Sequence, residues 1–257
     1  MGMIGVIGGS GLYEIPGFSI IDKIKIETPY GDPSDVFIMG SIGERKVVFL
    51  SRHGQHHDIP PHRVNYRANV WGFRTLGVKR IIAVNAVGGI NDRYRPGDIV
   101  LPDQIIDFTK TRAQSFYDGP RVVHIDFTEP YCKEMREAFL SIDEQIINGG
   151  TYVCTEGPRL ETAGEIRFYK SIGADMVGMT QMPEAALARE ATLCYLCIAV
   201  ITNYAAGISR TKLTTTEVVE TMKKSTERVK QLLSSAIDLI PSERHCICKD
   251  SLKDAEL

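Results

Sequence analysis

The chain has 257 residues, a formal net charge of −2, 43% hydrophobic residues and 24% charged residues, which is typical of a globular protein. This near-neutral charge gives no electrostatic basis for non-specific nucleic-acid binding. No apolar run reaches the roughly 18 residues of a membrane span, and the N-terminus enters a predicted strand without a signal peptide. We therefore expect a cytoplasmic protein with one domain over residues 1–240 and a polar, mobile tail over 241–257.

The cysteine pattern favours buried thiols over a metal or redox site. Cys194 and Cys197 form a C-x-x-C pair inside an apolar strand, whereas metal and redox pairs of this spacing normally sit in turns. Cytosolic disulfides are unusual outside hyperthermophiles. The sequence leaves open whether disulfides form among Cys132, Cys194, Cys197, Cys246 and Cys248.

Strands alternate with helices along the chain, which indicates an α/β fold with a central mixed sheet flanked by helices. The predicted helices cover 65–77, 132–147 and a long amphipathic segment from 214 to 240. The predicted strands cover 3–7, 46–50, 79–85, 98–101 and 195–202. Residues 103–131 are loop-rich, and a loop of that length is usually functional or part of an interface.

Polar groups that suit an anion follow three of these strands. Ser10 lies in the glycine-rich turn Gly8–Gly11, which is equally well explained as a tight turn. Arg52 and His53 follow the second strand, and an Arg side chain offers a planar fork of donors. An Asn85-Ala86 turn follows the third. Four of the six histidines fall between positions 53 and 62, but no acidic or Cys ligands stand at metal-binding spacing.

Residues 155–190 (TEGPRLETAGEIRFYKSIGADMVGMTQMPEAALARE) form the wall of a predicted small-molecule site. They read as a strand–helix–strand–helix unit, with a helix over 161–172 and a strand over 175–179. Two polar clusters follow its strands, Glu156/Arg159/Glu161 and Met179/Thr180/Glu184. Ligands of open α/β sheets bind beyond the carboxyl ends of the strands.

The sequence resembles the purine nucleoside phosphorylase and methylthioadenosine phosphorylase family from about Met3 to Ile240. The motifs that carry the resemblance are IGGSG at 7–11, RHG at 52–54, NAVGG at 85–89, EGPRLET at 156–162 and GMTQMPEAALARE at 178–190. The resemblance implies a nucleoside phosphorylase-like fold and phosphorolysis of an N-glycosidic bond, with phosphate as co-substrate and no metal or organic cofactor.

The same resemblance implies roles for individual residues. The phosphate-binding residues would be Ser10, Arg52, His53, Asn85, Ala86 and Thr180. Met179 would pack under the sugar, and Tyr204, Ala205 and Thr215 would contact the nucleoside. His124 would reach into the site of a neighbouring subunit, which implies a homotrimer or a dimer of trimers. The catalytic residues would be Glu161, Asn203 and His53.

Two positions depart from the methylthioadenosine branch and resemble 6-oxopurine-specific enzymes. Glu161 can accept a hydrogen bond from N1–H of a 6-oxopurine, and Asn203 can donate to O6 or accept from a protonated N7. We therefore expect phosphorolysis of inosine and guanosine. The alternatives are S-methyl-5′-thioinosine phosphorylase, then S-methyl-5′-thioadenosine phosphorylase, and last a nucleoside-binding oligomer without turnover.

Overall fold

The computed structural model describes residues 2–9, 15–209 and 215–256, without the side chains of Thr215 and Glu217. Its strands are β1 (Ile4–Gly8), β2 (Phe18–Ile24), β3 (Phe37–Ile42), β4 (Arg45–Ser51), β5 (Arg80–Gly89), β6 (Ile99–Leu101), β7 (Gln104–Phe108), β8 (Ile147–Asn148), β9 (Thr151–Thr155), β10 (Met176–Gly178) and β11 (Cys194–Tyr204). Its α-helices are α1 (Tyr66–Thr75), α2 (Lys133–Leu140), α3 (Ala163–Ser171), α4 (Gln181–Glu190) and α5 (Thr215–Leu239).

All of these strands join one mixed sheet, as predicted. Its main order is β2-β3-β4-β1-β5-β10-β9-β7, and β11 pairs with both β5 and β6. Strands β1, β4, β5 and β11 are parallel neighbours. Their carboxyl ends therefore meet at one edge of the sheet, where the predicted anion-binding groups lie.

Helices cover both faces of the sheet because side chains of the central strands alternate between two apolar layers. In β5, Ile81 and Ala83 belong to the layer that also holds Val70 and Phe73 of α1. Ile82 and Val84 belong to the opposite layer, with residues of α2 and α5. Buried on both faces, the central strands read as continuous apolar runs, which is why they were predicted correctly.

The strand–helix–strand–helix unit predicted around residues 152–190 is present as β9, α3, β10 and α4. β9 and β10 are parallel neighbours, so Thr155 and Gly178 end at the same edge. α3 begins at a capping box, in which the Thr162 hydroxyl accepts from the Glu165 backbone N–H and the Glu165 side chain accepts from that of Thr162. Because β10 runs antiparallel to the last residues of β5, its carboxyl end points back toward Asn85, and this brings Glu161 and Thr180 to the part of β5 that lies beyond β1.

Two predicted elements need correction, and four strands were missed. The Asn85-Ala86 turn is the middle of β5, which continues to Gly89 and pairs there with β10 and β11. The helix predicted over 132–147 ends at Leu140, because the Ser141 and Asp143 side chains bind nearby backbone groups and make a turn. Strands β2, β3, β7 and β8 were not predicted.

The C-terminal tail packs against the body of the protein, contrary to the mobile tail that was predicted. Arg80 donates to the carbonyl oxygen of Glu243 at 2.6 Å, and the His124 backbone N–H donates to that of Ala255 at 2.8 Å. Cys248 is buried within a 3-10 helix at Ile247–Asp250. The polar composition of the tail did not reveal these contacts, because they are made by backbone carbonyl oxygens and one buried cysteine.

Candidate active site

A cavity of about 740 Å³ lies at the sheet edge where the parallel strands end. It exists because β1 pairs with β5 only as far as Ala83, so the next residues of β5 have a free edge. Nine of the predicted site residues line the cavity: Arg52, His53, Asn85, Ala86, Glu161, Met179, Thr180, Asn203 and Ala205.

Other predicted residues do not line this cavity or cannot be placed. Ser10 and the side chain of Thr215 lie outside the described part of the chain. Tyr204 ends β11 and does not line the cavity, and neither does His124, which is exposed on the surface. The structure contains a single chain, so it does not test the contact predicted for His124 with a neighbouring subunit.

Glu156 and Arg159 were predicted to share a cluster with Glu161, and all three line a second cleft of about 600 Å³ next to the main cavity. The Glu156 carboxylate accepts from the Lys110 backbone N–H and the Thr111 hydroxyl, at 2.6 and 2.7 Å. Arg159 forms a bidentate pair with Glu165 on the surface. Of the three, only Glu161 lines the main cavity.

Glu161 keeps hydrogen-bonding capacity for a ligand. One of its carboxylate oxygens accepts from the Thr155 hydroxyl at 2.7 Å, and its own backbone N–H also donates to the carboxylate. A carboxylate has about four acceptor positions, so capacity remains for a ligand. Burial raises the pKa of Glu161, while the Thr155 hydrogen bond lowers it in part. The carboxylate is therefore partly shielded from water and free to accept one more hydrogen bond.

Asn203 is 5% exposed and held in one orientation by its chain neighbours. Its Nδ2 donates to the carbonyl oxygen of Tyr204 at 2.9 Å, and its Oδ1 accepts from the Thr202 hydroxyl at 2.8 Å. An amide has two donors and two acceptor positions, so one of each is left. Asn203 can thus donate to one ligand atom and accept from another.

Arg52 is held by a buried ion pair with Glu184. Its Nε and Nη2 donate to the two carboxylate oxygens at 2.8 and 2.9 Å, and its Nη1 donates to the carbonyl oxygen of Val84 at 3.0 Å. A longer contact joins Nη2 to the carbonyl oxygen of Ile7 at 3.5 Å. Among the described residues, one of the five guanidinium N–H groups therefore remains for a ligand.

His53 is neutral at neutral pH. Burial and the adjacent Arg52 charge lower its pKa to about 4. Its Nδ1 lies 2.8 Å from the carbonyl oxygen of Ile59, a contact that requires the proton on Nδ1. Nε2 therefore carries a lone pair and can accept a hydrogen bond, for example from a protonated phosphate oxygen.

A network of buried side chains supports these residues, and sequence reasoning did not find it. Gln181 donates to Asn85 Oδ1 at 2.8 Å and to the Tyr195 hydroxyl at 3.0 Å. Tyr195 donates to Glu184 at 2.6 Å, and Asn85 donates to Thr180. Gln181 and Glu184 lie within the GMTQMPEAALARE motif, which was the available signal. Tyr195 lies in an apolar strand that gives no such signal.

The chain belongs to the phosphorylase superfamily, whose family model matches residues 3–238. A 6-oxopurine nucleoside phosphorylase of Pyrococcus furiosus is 51% identical, with 99% of each chain covered. A probable S-methyl-5′-thioinosine phosphorylase of Thermodesulfovibrio yellowstonii is 52% identical, covering 98% of this chain and 96% of that one.

A solved structure supports the same assignment. The crystal structure of a methylthioadenosine phosphorylase from an antarctic soil metagenomic library superimposes with a TM-score of 0.91 at 37% identity. The match covers 99% of this chain and 92% of that one. The predicted family and nucleoside phosphorylase-like fold are confirmed.

Proposed function

We propose that the protein catalyses phosphorolysis of 6-oxopurine nucleosides such as inosine and guanosine. Inorganic phosphate would attack C1′ of the ribosyl group, the bond from C1′ to the purine would break, and the products would be the free base and α-ribose-1-phosphate. The observation that carries this proposal is that Glu161 and Asn203, each with hydrogen-bonding capacity to spare, line the same cavity. The name of the Pyrococcus furiosus relative supports it.

The two side chains suit the hydrogen-bonding edge of a 6-oxopurine. The Glu161 carboxylate would accept from N1–H, the free N–H of Asn203 would donate to O6, and the free lone pair of Asn203 would accept from a protonated N7. Negative charge grows on the departing base, and a donor fixed beforehand at that position lowers the barrier. Adenine has no N1–H and carries an amino donor at C6, so both contacts would be mismatched.

Phosphate would bind on the opposite side of the nucleoside, among Arg52, His53, Thr180 and the β5 residues Asn85 and Ala86. The resemblance adds Ser10 to this set. Arg52 would supply charge and one N–H, and the lone pair of His53 would accept from a protonated phosphate oxygen. Holding phosphate in line with the breaking bond would supply much of the rate enhancement by proximity.

This reaction requires no metal or organic cofactor, because phosphate is the nucleophile and the protein supplies donors, acceptors and position. We propose that the chain acts as a homotrimer or a dimer of trimers, in which His124 would contribute to the site of a neighbouring subunit. None of the helices in the described parts of the chain is long and apolar enough to cross a membrane. A cytoplasmic location stays a prediction.

A second candidate is phosphorolysis of S-methyl-5′-thioinosine, which has the same base and an apolar 5′ substituent. The observation that favours it is the apolar wall that α5 contributes to the cavity through Val218, Val219 and Met222. The name of the Thermodesulfovibrio yellowstonii relative points the same way. Thr215, which by resemblance would contact the nucleoside, has its side chain outside the described part of the chain.

A substrate panel tests the proposal and separates the candidates. Inosine, guanosine, adenosine, methylthioadenosine and methylthioinosine are each incubated with phosphate, and the released base is measured. Two mismatched buried groups at about 1–3 kcal/mol each predict that inosine is preferred over adenosine by roughly two to four orders of magnitude in kcat/KM.

The control omits both phosphate and arsenate, and activity should then vanish. Equal or faster cleavage of adenosine or methylthioadenosine would contradict the base assignment. A preference of more than about tenfold for methylthioinosine over inosine, equivalent to 1.4 kcal/mol, would establish the second candidate instead.

A further inference from the structure

Four cysteines from three separate segments of the chain converge at the amino end of β11. Cys132 is the N-cap residue of α2, Cys194 is the first residue of β11, and Cys246 and Cys248 flank the start of the C-terminal 3-10 helix. Their four sulfur atoms all lie within 4.8 Å of one another. Cys132, Cys194 and Cys248 are buried, and Cys246 is partly exposed.

We propose that these four cysteines bind one zinc ion through their thiolates. A tetrahedral zinc centre has Zn–S bonds of about 2.3 Å, which places its sulfur atoms about 3.8 Å apart. The four sulfur atoms lie within 4.8 Å of one another, which agrees with that spacing. The sulfur atoms of Cys194 and Cys246 are 3.3 Å apart. Four soft thiolate ligands in a closed set are typical of structural zinc.

The arrangement favours one shared centre over two separate disulfides. A disulfide requires only that its own two sulfurs approach to about 2.05 Å, and it sets no distance to a second pair. Here each sulfur is close to all three others. Cys197, the other half of the C-x-x-C pair, is not a member of the cluster. The four cysteines that do converge come from three separate segments and were not recognisable as a set from their spacing.

The surroundings suit a metal that enters from solvent and is then retained. A cleft of about 330 Å³ is lined by Cys132, Cys246 and Cys248 and gives access from the surface. On the inner side, Met135 and Phe139 of α2 belong to the same apolar layer as the cysteines and shield the cluster from water. An entry path together with an apolar surround is expected of a protein metal site.

The zinc would hold the C-terminal tail against the body and take no part in the reaction. Cys194 begins β11 and Asn203 lies nine residues further along it, which at strand geometry is roughly 30 Å. The metal would join the tail to α2 and β11 beside the Arg80 and Glu243 contact. Its removal should therefore lower stability more than it changes the chemistry at the cavity.

The test begins with the full chain, expressed in zinc-supplemented medium and purified with a phosphine reductant. Elemental analysis should find about one zinc per chain, because four thiolates complete a tetrahedral shell. Chelation should lower the Tm by several degrees. After exchange into cobalt(II), the wild-type protein should show the intense visible absorption of a tetrahedral thiolate site. This spectrum tests the site even where a cysteine variant fails to fold.

Matched variants locate the site. The double variant Cys246→Ser with Cys248→Ser should lose the zinc, and chelation should then leave its Tm unchanged. Cys197→Ser, which alters a buried cysteine outside the cluster, should keep the metal. Metal-free protein with all thiols free would overturn the proposal. In a parallel preparation without reductant, metal-free protein lighter by four hydrogens would indicate two disulfides and would also overturn the proposal, as would zinc retained by the double variant.

Discussion

Glu161 and Asn203 differ in how their hydrogen bonding with a ligand depends on pH. Asn203 is neutral and fixed by two hydrogen bonds, so its contacts with a ligand do not depend on pH. Glu161 accepts most strongly from N1–H when it is ionised, yet burial raises its pKa above the ordinary value of 4.5. Base recognition should therefore weaken on acidification at a higher pH than an exposed glutamate would show.

We predict that the ratio of kcat/KM for inosine to that for adenosine falls as the pH drops through the pKa of Glu161. The direction follows because a protonated carboxyl group can no longer accept from N1–H through its acidic oxygen. Using the ratio cancels the ionisation of phosphate, which both reactions share. In Glu161→Gln the ratio should be low and independent of pH. An unchanged ratio across the acid range in the wild-type enzyme would contradict the role of Glu161.

Asn203→Asp tests the second side chain of the proposed base pocket. An aspartate can donate to N7 when protonated, and it can accept from the amino group of adenine when ionised. The preference for inosine over adenosine should therefore shrink, while Glu161→Gln should mainly slow inosine. Because the two side chains would contact different atoms of the base, the variants separate N1–H recognition from recognition at O6 and N7.

The buried ion pair between Arg52 and Glu184 joins the end of β4 to the first turn of α4. Both side chains are almost wholly buried, at 2% and 0% exposure, so neither charge can be satisfied by water if the other is removed. Breaking a buried pair by removing one partner typically costs about 3–5 kcal/mol. Arg52 therefore has a structural role in addition to any contact with phosphate.

We predict that Arg52→Gln lowers the free energy of unfolding by about 3–5 kcal/mol and raises the KM for phosphate. Adding Glu184→Gln should restore most of the stability, because two neutral amides can pair without an isolated buried charge. The KM for phosphate should stay high in the double variant, since no cation has returned. Chemical denaturation and phosphate titration measure the two effects separately. A double variant with the wild-type KM would exclude Arg52 as a phosphate ligand.

Sequence patterns predicted the buried elements and failed at the sheet edges. β5 and β11 contain continuous apolar runs, so both were predicted as strands. The motif residues that interrupt or follow these runs line one cavity. β2 exposes most of its side chains, and β8 has two residues, so neither gives a usable apolar pattern. Asn85 was placed in a turn because the glycines that follow suggest one, whereas β5 runs through them to pair with β10.

The supporting network escaped prediction for a different reason. The contacts of Gln181, Tyr195 and Glu184 depend on where three elements cross, and single-sequence patterns describe one element at a time. The convergence of Cys132, Cys194, Cys246 and Cys248 is of the same kind. Periodicity and motif spacing identify which residues face a site, but not which distant residues meet them.

His124 is a predicted site residue that the fold of one chain does not bring to the cavity. Its side chain is exposed, and its backbone N–H donates to the carbonyl oxygen of Ala255. If the chain forms a trimer, His124 can complete the site of a neighbour. The mass in solution should then be three or six times the 28.6 kDa of one chain. Light scattering during size-exclusion chromatography measures it.

Complementation between subunits tests whether His124 acts across chains. We predict that His124→Ala lowers kcat/KM by roughly tenfold, the loss expected of one hydrogen bond near 1.4 kcal/mol. Asn203→Ala should lower it further. Co-expressed chains of the two variants, isolated together through different tags, should regain activity above the mean of the two homo-oligomers. In such a mixture, a cavity with intact Asn203 can receive intact His124 from its neighbour. Activity equal to the mean would show that His124 does not act on a neighbouring site.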